Sequence, residues 1–153
     1  MTGQRVSTEY ANSIIFDLQK AFWDERGKGA RFRVTNVGRA YFMDKCLQQI
    51  EKDELEEIAG TIGRILQEEG IVEQVNHEQE EQLLRLSVQG CMHHSVEMRM
   101  LAHGVEPFTC IPANLMALAI EDKLKRQVEL AEVSIKNGTC EVLLVVFEKR
   151  PGE

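Results

Sequence analysis

The sequence predicts an α+β fold in which an antiparallel sheet of two hairpins is packed with helices. Apolar residues recur at helical spacing in the first 70 residues and again between residues 93 and 120. Two later stretches have the composition and alternation of strands, each joined to a partner through turn-forming residues. Segregated helices and hairpins are typical of α+β proteins. With 153 residues, the chain is predicted to form a single domain.

The composition is that of a globular protein that does not bind nucleic acid. Hydrophobic residues make up 43% and charged residues 28%, and the net charge of -7 repels a phosphate backbone. The first 19 residues lack a signal-peptide pattern, and no apolar run is long enough for a membrane span. We therefore predict a cytoplasmic protein whose four cysteines are thiols or metal ligands, not a disulfide framework.

Residues 1–26 are predicted to be a helix, with Ser7 or Thr8 as its N-cap. This helix also carries Phe16, Phe22 and Trp23, which offer more aromatic surface than one helical stripe can bury, and such surface usually finds a partner. We therefore expect this helix to pair two copies into a homodimer. Its apolar residues at helical spacing are Tyr10, Ile14, Leu18 and Phe22.

Two further helices are predicted before residue 70. Asn36 is a suitable cap for the first of them. Asp53 and Glu56 have capping-box spacing at the start of the second, which should end at Gly70. The apolar side of the first consists of Val37, Ala40, Tyr41, Leu47 and Ile50. The stripe of the second, predicted to face the sheet, consists of Leu55, Ile58, Ala59, Ile62, Ile65 and Leu66.

The first hairpin is predicted from a short β-branched strand at residues 71–75 and a polar turn region at 76–82. Its second strand alternates apolar and polar residues through Leu84, Leu86 and Val88, so one face of the hairpin should be exposed to solvent.

Two helices and a second hairpin follow. A helix at residues 93–103 should bury Val96, Met100 and Leu101, and Pro112 suits the first turn of the next. That next helix is expected to bury Leu115, Met116, Ala119 and Ile120. The last hairpin pairs residues 128–135 with 140–147 through the turn sequence Asn137-Gly138. Since residues 142–147 are apolar on both faces, they should form a central strand that is covered on both sides.

Four local patterns resemble the 4-vinyl reductase, or hydrocarbon-binding, domain family. They are the helix-glycine-strand passage 65–73, the strand-to-cysteine passage 84–91, the Pro-Phe-Thr-Cys passage 107–110 and the hairpin 133–142. The resemblance makes residues 36–148 the ligand-binding core. It implies an antiparallel sheet with helices on it, a pocket for small or apolar ligands, and frequent dimerisation.

Chemistry-bearing residues concentrate at the ends of the predicted elements. Cys91 and His94 are three residues apart at a strand-to-helix corner, Cys110 precedes a helix, and Cys140 opens the last strand. Together these four residues are a candidate zinc site, with Cys46 lying apart in a helix. The alternative is that the cysteines are small buried hydrophobes, as free cysteines often are.

The chain is therefore interpreted as a module that binds or senses a small, apolar molecule, and no catalytic residues are predicted. One alternative function is a thiol or zinc hydrolase, in which Cys110 would work with His94 or His103. A second is an assembly or interaction subunit, because the family shares its fold with tethering subunits. The candidate ligand-binding residues are Cys91, Met92, Met100, Phe108, Cys110 and Met116.

Overall fold

The computed structural model describes residues 6–29, 37–106 and 110–148, and these form helices and one four-stranded antiparallel sheet. The predicted α+β class is therefore confirmed, with three helices, a hairpin, two helices and a second hairpin in chain order. The helices are α1 (Thr8–Arg26), α2 (Arg39–Tyr41), α3 (Leu55–Glu68), α4 (His94–Ala102) and α5 (Ile111–Leu124). The strands are β1 (Gln74–Glu80), β2 (Leu83–Gln89), β3 (Val128–Lys136) and β4 (Thr139–Val146).

The sheet joins the two hairpins through β2 and β4, in the order β1-β2-β4-β3. Leu86 pairs with Val142 across this junction. The second hairpin turns at Asn137 and Gly138, both of which have positive φ (50° and 78°), as a type I′ turn requires. Strand β4 lies between β2 and β3 in the strand order, so the prediction that the last strand is central is confirmed.

Strand β4 is fully covered on one face only, so the prediction of a doubly covered strand is wrong. Leu143 and Val145 on its outward face are half-buried. Leu143 is flanked across the strands by Arg85 and Glu132, whose long aliphatic stems can shield it without a helix above. The covered face, turned to the helices, consists of Cys140, Val142, Leu144 and Val146.

The first hairpin differs from the prediction in where its first strand lies. Strand β1 spans Gln74–Glu80, so most of the polar stretch predicted as a turn is strand, and the turn is only Glu81 and Gln82. The amides of Ile71 and Val72 instead bond to the carbonyl of Leu66, at the end of α3. An edge strand needs backbone pairing on one side only, and polar side chains protect its free side from other chains.

Helix α3 packs on the inner face of the sheet through the predicted stripe, all of which is buried. Gly63 allows a close approach, since a Cβ there would lie 3.2 Å from Cγ1 of Val75 on β1. Gly70 ends the helical segment with φ 72°, as predicted. The predicted capping box is absent from the described residues: Glu54 is the N-cap and its side chain makes no capping hydrogen bond.

The segment after α2 changes helical pitch, which alters the predicted buried side. A π-helical turn (Phe42–Cys46) and a 3-10 turn (Leu47–Gln49) follow α2. Phe42, Cys46 and Ile50 are buried, whereas Val37 and Ala40 are exposed. Ile50 is buried as predicted, and Tyr41 and Leu47 pack on the core. A wider turn shifts the phase of the residues before and after it, so a uniform helical period wrongly includes Val37 and Ala40 and misses Phe42 and Cys46. The predicted cap Asn36 lies outside the described residues.

Helix α1 packs against α4 mainly through the face opposite to Tyr10, Ile14 and Leu18 of the predicted stripe. Ser7 is its N-cap, with Oγ accepting from the amide of Tyr10 at 3.0 Å. Phe16 is buried with Val96, Met100 and Val105 in a second core cluster, and Phe22 and Trp23 pack on its edge. Of the aromatic residues that suggested a dimer, Phe16 is therefore covered within the chain and Phe22 and Trp23 are partly covered.

Three residues of the predicted apolar stripe of α1 face outward instead. Tyr10 is 63%, Ile14 43% and Leu18 67% exposed. Leu101 on α4, which we also expected to be buried, is 40% exposed. No helix among the described residues has the length and apolar character needed to cross a membrane.

Candidate metal centre

A corner between β2 and α4 carries the most chemically active stretch of the sequence. Gly90 has a φ of 64°, and a Cβ there would lie 2.4 Å from Cγ of Glu73, so the corner requires glycine. Asn12 of α1 fixes the corner from outside: its Nδ2 donates to the Met92 carbonyl at 2.6 Å and to Ser95 Oγ at 3.1 Å. Helix α4 therefore begins at a defined place, with His94 in its first turn.

Three potential metal ligands meet where α4 lies beside the start of β4. His94 and Glu97 are three residues apart on α4, so their side chains share one helix face. Cys140 is the second residue of β4. One ligand atom from each lies within 4.8 Å of the other two, and no other set of three or more such residues in the described chain is this close.

Glu97 and Cys140 form a buried pair in this group. The Cys140 thiol donates to Oε2 of Glu97 at 2.9 Å. Glu97 is 6% exposed and Cys140 2%. Burial raises the pKa of the Glu97 carboxyl, while the bond from Cys140 lowers it. Burial and the nearby Glu97 charge raise the pKa of the Cys140 thiol, so the sulfur keeps its proton and donates it to Glu97 in the hydrogen bond.

His94 brings an unsatisfied polar atom to the group. Its Nδ1 is buried and makes no hydrogen bond within the described residues, as is also true of Nδ1 of His93. A buried ring nitrogen without a partner costs free energy unless something binds it. An imidazole nitrogen, a thiol and a carboxylate that converge in this way are able to coordinate a cation together.

Cys91 and Cys110 lie near this group but outside the closest set. Burial raises the pKa of Cys91 to about 11, with a further contribution from the Glu97 charge. Burial also raises the pKa of Cys110, which interacts electrostatically with Glu97, Cys91 and Cys140. The structure thus brings the three predicted cysteines into one neighbourhood, but joins only Cys140 closely to His94.

Cys46 lies apart from that neighbourhood, as expected. It is completely buried in the main core, and its pKa is raised by burial and by the charge of Glu69. Cys46 therefore serves as an internal comparison for the other three.

The candidate ligand-binding residues are distributed over several environments. Met116 is part of the main core, whereas Met100 belongs to the second cluster between α1 and α4. Met92 is half-buried at the corner. Phe108 lies outside the described residues.

The thiols have the environment of protonated groups rather than nucleophiles. Cys110, the proposed nucleophile of the hydrolase alternative, is 2% exposed, and burial holds its pKa well above the usual value. A reactive thiolate instead needs a positive environment and access. His103, one of its suggested partners, bonds through Nδ1 to the Arg99 carbonyl and contacts the Phe16 ring.

Glu97 is the site residue that sequence reasoning missed. Its signal was the spacing of three residues after His94, which places two potential ligands on one helix face. Most helical glutamates face solvent, so this spacing alone does not distinguish a ligand from a surface residue.

No family model matches the chain, and no curated protein matches it. The resemblance to the 4-vinyl reductase family therefore stays a prediction from four local patterns.

Proposed function

We propose that this domain binds a transition-metal ion, most suitably zinc, through His94, Glu97 and Cys140, and uses the ion to bind and sense a small molecule. The observation that carries this proposal is the convergence of three ligand atoms within 4.8 Å. Imidazole, thiolate and carboxylate are the ligand types that zinc takes from proteins.

The chemistry of metal binding follows from the Glu97–Cys140 contact. The cation would replace the proton held between Sγ and Oε2, because a metal ligand must be deprotonated. Binding would therefore release that proton to solvent, and coordination through Nδ1 would give this buried nitrogen of His94 a partner.

Three protein ligands leave one position of a tetrahedral ion for another donor. A small molecule with one donor atom and an apolar body suits that position, since Cys91 and Cys110 near the group are buried and weakly polar. This arrangement supports a sensing role, in which the fraction of protein with ligand in the fourth position rises with ligand concentration.

Metal binding is tested by elemental analysis and by titration with Co²⁺, whose absorption reports thiolate coordination. We expect one ion per chain and a sulfur-to-cobalt charge-transfer band. Cys140→Ala should abolish the band and weaken zinc binding roughly 100-fold or more, because loss of second-shell groups alone costs about 10–100-fold.

Cys46→Ala is the matched control, since it removes an equally buried thiol from a different part of the core. It should keep both the band and the affinity. Absence of any stoichiometric metal in the wild type, or equal losses in the two variants, would reject the site.

A zinc hydrolase is the second candidate, favoured by the same open position, which can hold a water molecule in place of a ligand. Hydrolysis of an activated ester by the zinc-loaded protein, lost in Glu97→Gln and Cys140→Ala together with the metal, would favour it.

We further propose that the protein is cytoplasmic, because its four cysteines are buried free thiols, which suits a reducing compartment. We also propose that it forms a homodimer, as the resemblance to the 4-vinyl reductase family implies.

A further inference from the structure

Helix α1 is apolar on two opposite faces, although only one of them has a partner within the described chain. The inward face carries Phe16 and packs on α4. The outward face carries Tyr10, Ile14 and Leu18, all strongly exposed, and Val6 just before the helix is 68% exposed. A helix that is apolar on both sides is typically packed between two partners.

The outward face has the spacing of a coiled-coil seam. Positions along it advance in alternating steps of four and three residues, which is the a/d pattern of a heptad. Small residues flank the two large ones, so a second helix can approach closely. The seam consists of Ser7, Ala11, Ile14, Leu18, Ala21 and Glu25.

This seam is symmetric about its own centre. Suppose that two copies run antiparallel and that the twofold axis crosses them at the height of residue 16 along the helix. Ile14 then faces Leu18 of the other copy, Ala11 faces Ala21, and Ser7 faces Glu25. An isologous interface has this requirement, that residue i contacts j and j contacts i. Charge agrees with the arrangement, because each Glu25 would lie at the positive N-terminus of the other helix.

We propose that the outward face of α1 pairs antiparallel with the same face of a second copy of this chain. The proposal rests on the homodimer proposed above and names its surface and register. The seam runs from Ser7 to Glu25 and extends for about 27 Å. A single helix pair of this length lies at the small end of specific interfaces, so the dimer should dissociate in the micromolar range.

The surface is tested by sedimentation over a concentration series. The wild type should shift from monomer to dimer, and Leu18→Glu should remain a monomer at every concentration used. Met43→Glu is the control, because Met43 is also exposed (46%) but lies outside the seam. Circular dichroism confirms folding, since both positions face solvent. A monomeric wild type, or a dimer that survives Leu18→Glu, overturns the proposal.

The register is tested by mixing two variants, Ala11→Cys and Ala21→Cys, and identifying the disulfides that form between chains. One of the two variants carries a mass tag, so that the products can be distinguished. Antiparallel pairing predicts mixed 11–21 disulfides; a parallel pair gives 11–11 and 21–21 products and overturns the register. The native cysteines are buried and do not compete. Zinc content measured on the same samples separates failure of the dimer from failure of the metal site.

Discussion

Cys140 donates its thiol hydrogen to Glu97 at 2.9 Å, which joins the start of β4 to the middle of α4 inside the protein. This contact links the sheet to the helix that also carries His94, so stability and metal binding depend on the same side chains. Substitutions at position 97 that keep or remove the acceptor oxygen therefore isolate the contribution of this hydrogen bond to stability.

Glu97→Ala should destabilise the protein by about 1–3 kcal/mol, because the Cys140 thiol loses its acceptor and a cavity is left behind. Glu97→Gln retains a carbonyl oxygen at the same place and should cost less than half as much. Chemical denaturation measures both. If the two variants are equally stable, the hydrogen bond contributes little to folding.

The α3 stripe gives a prediction about the core. Ile62 is completely buried, and Ile62→Ala should lower the free energy of unfolding by about 2–5 kcal/mol. Arg64→Ala on the same helix removes an exposed ion pair with Glu68 and an exposed hydrogen bond to Gln49, and it should change stability by less than about 1 kcal/mol. Similar melting curves for the two variants would contradict the assigned face.

Hydrogen exchange should distinguish the strands by position. Amides of Val142 and Leu144 in central β4 should be among the slowest to exchange, whereas those of Asn76 and Glu78 on the edge strand β1 should exchange faster. Mass spectrometry of peptic fragments measures both strands in one sample. Faster exchange in β4 than in β1 would be inconsistent with the strand order.

Asn12 anchors α1 to the metal-centre corner. Asn12→Ala removes two hydrogen bonds from a 4% exposed side chain, and should cost about 1–3 kcal/mol. Ser13→Ala is the control, since Ser13 only accepts an exposed hydrogen bond from Arg99. Thermal melts compare them; an unchanged Asn12→Ala melting temperature would show that α1 is held by apolar contacts alone.

Asp17 provides a finer test of the α1 pairing. In the antiparallel register, the two Asp17 side chains flank the twofold axis on the same side and repel each other. Asp17→Asn should therefore tighten the dimer by about twofold, from a repulsion of about 0.5 kcal/mol. Added salt should tighten the wild-type dimer but have a smaller effect on the variant. A weaker dimer in Asp17→Asn would argue for another register.

The elements that the sequence predicts well are those specified by local chemistry. The α3 stripe repeats at a regular helical period, and Asn137-Gly138 supplies the positive φ that a tight hairpin needs. The α2 segment was harder, because the π-helical turn breaks the period. Strand β1 has few apolar residues, and its pairing with β2 decides its structure.

The candidate site was predictable only in part. His94 and Cys140 belong to recognisable element ends, but their proximity depends on how α4 crosses the start of β4. The burial of Glu97 has the same origin, so no local pattern indicates it. The two faces of α1 show a similar limit: both are apolar, and only packing against Val96 and Met100 determines which one is covered.

The position of Asn12 has a thermodynamic consequence. It lies on the inward face of α1, bonded to the Met92 carbonyl, while the seam runs along the outward face of the same helix. If zinc at His94 shifts that corner, the shift reaches the dimer surface within one helix diameter. Linkage is reciprocal: whatever factor zinc applies to the dimerisation constant, dimerisation applies to zinc affinity. Protein concentration would then change the metal occupancy of this domain, by at most the factor that couples the two equilibria.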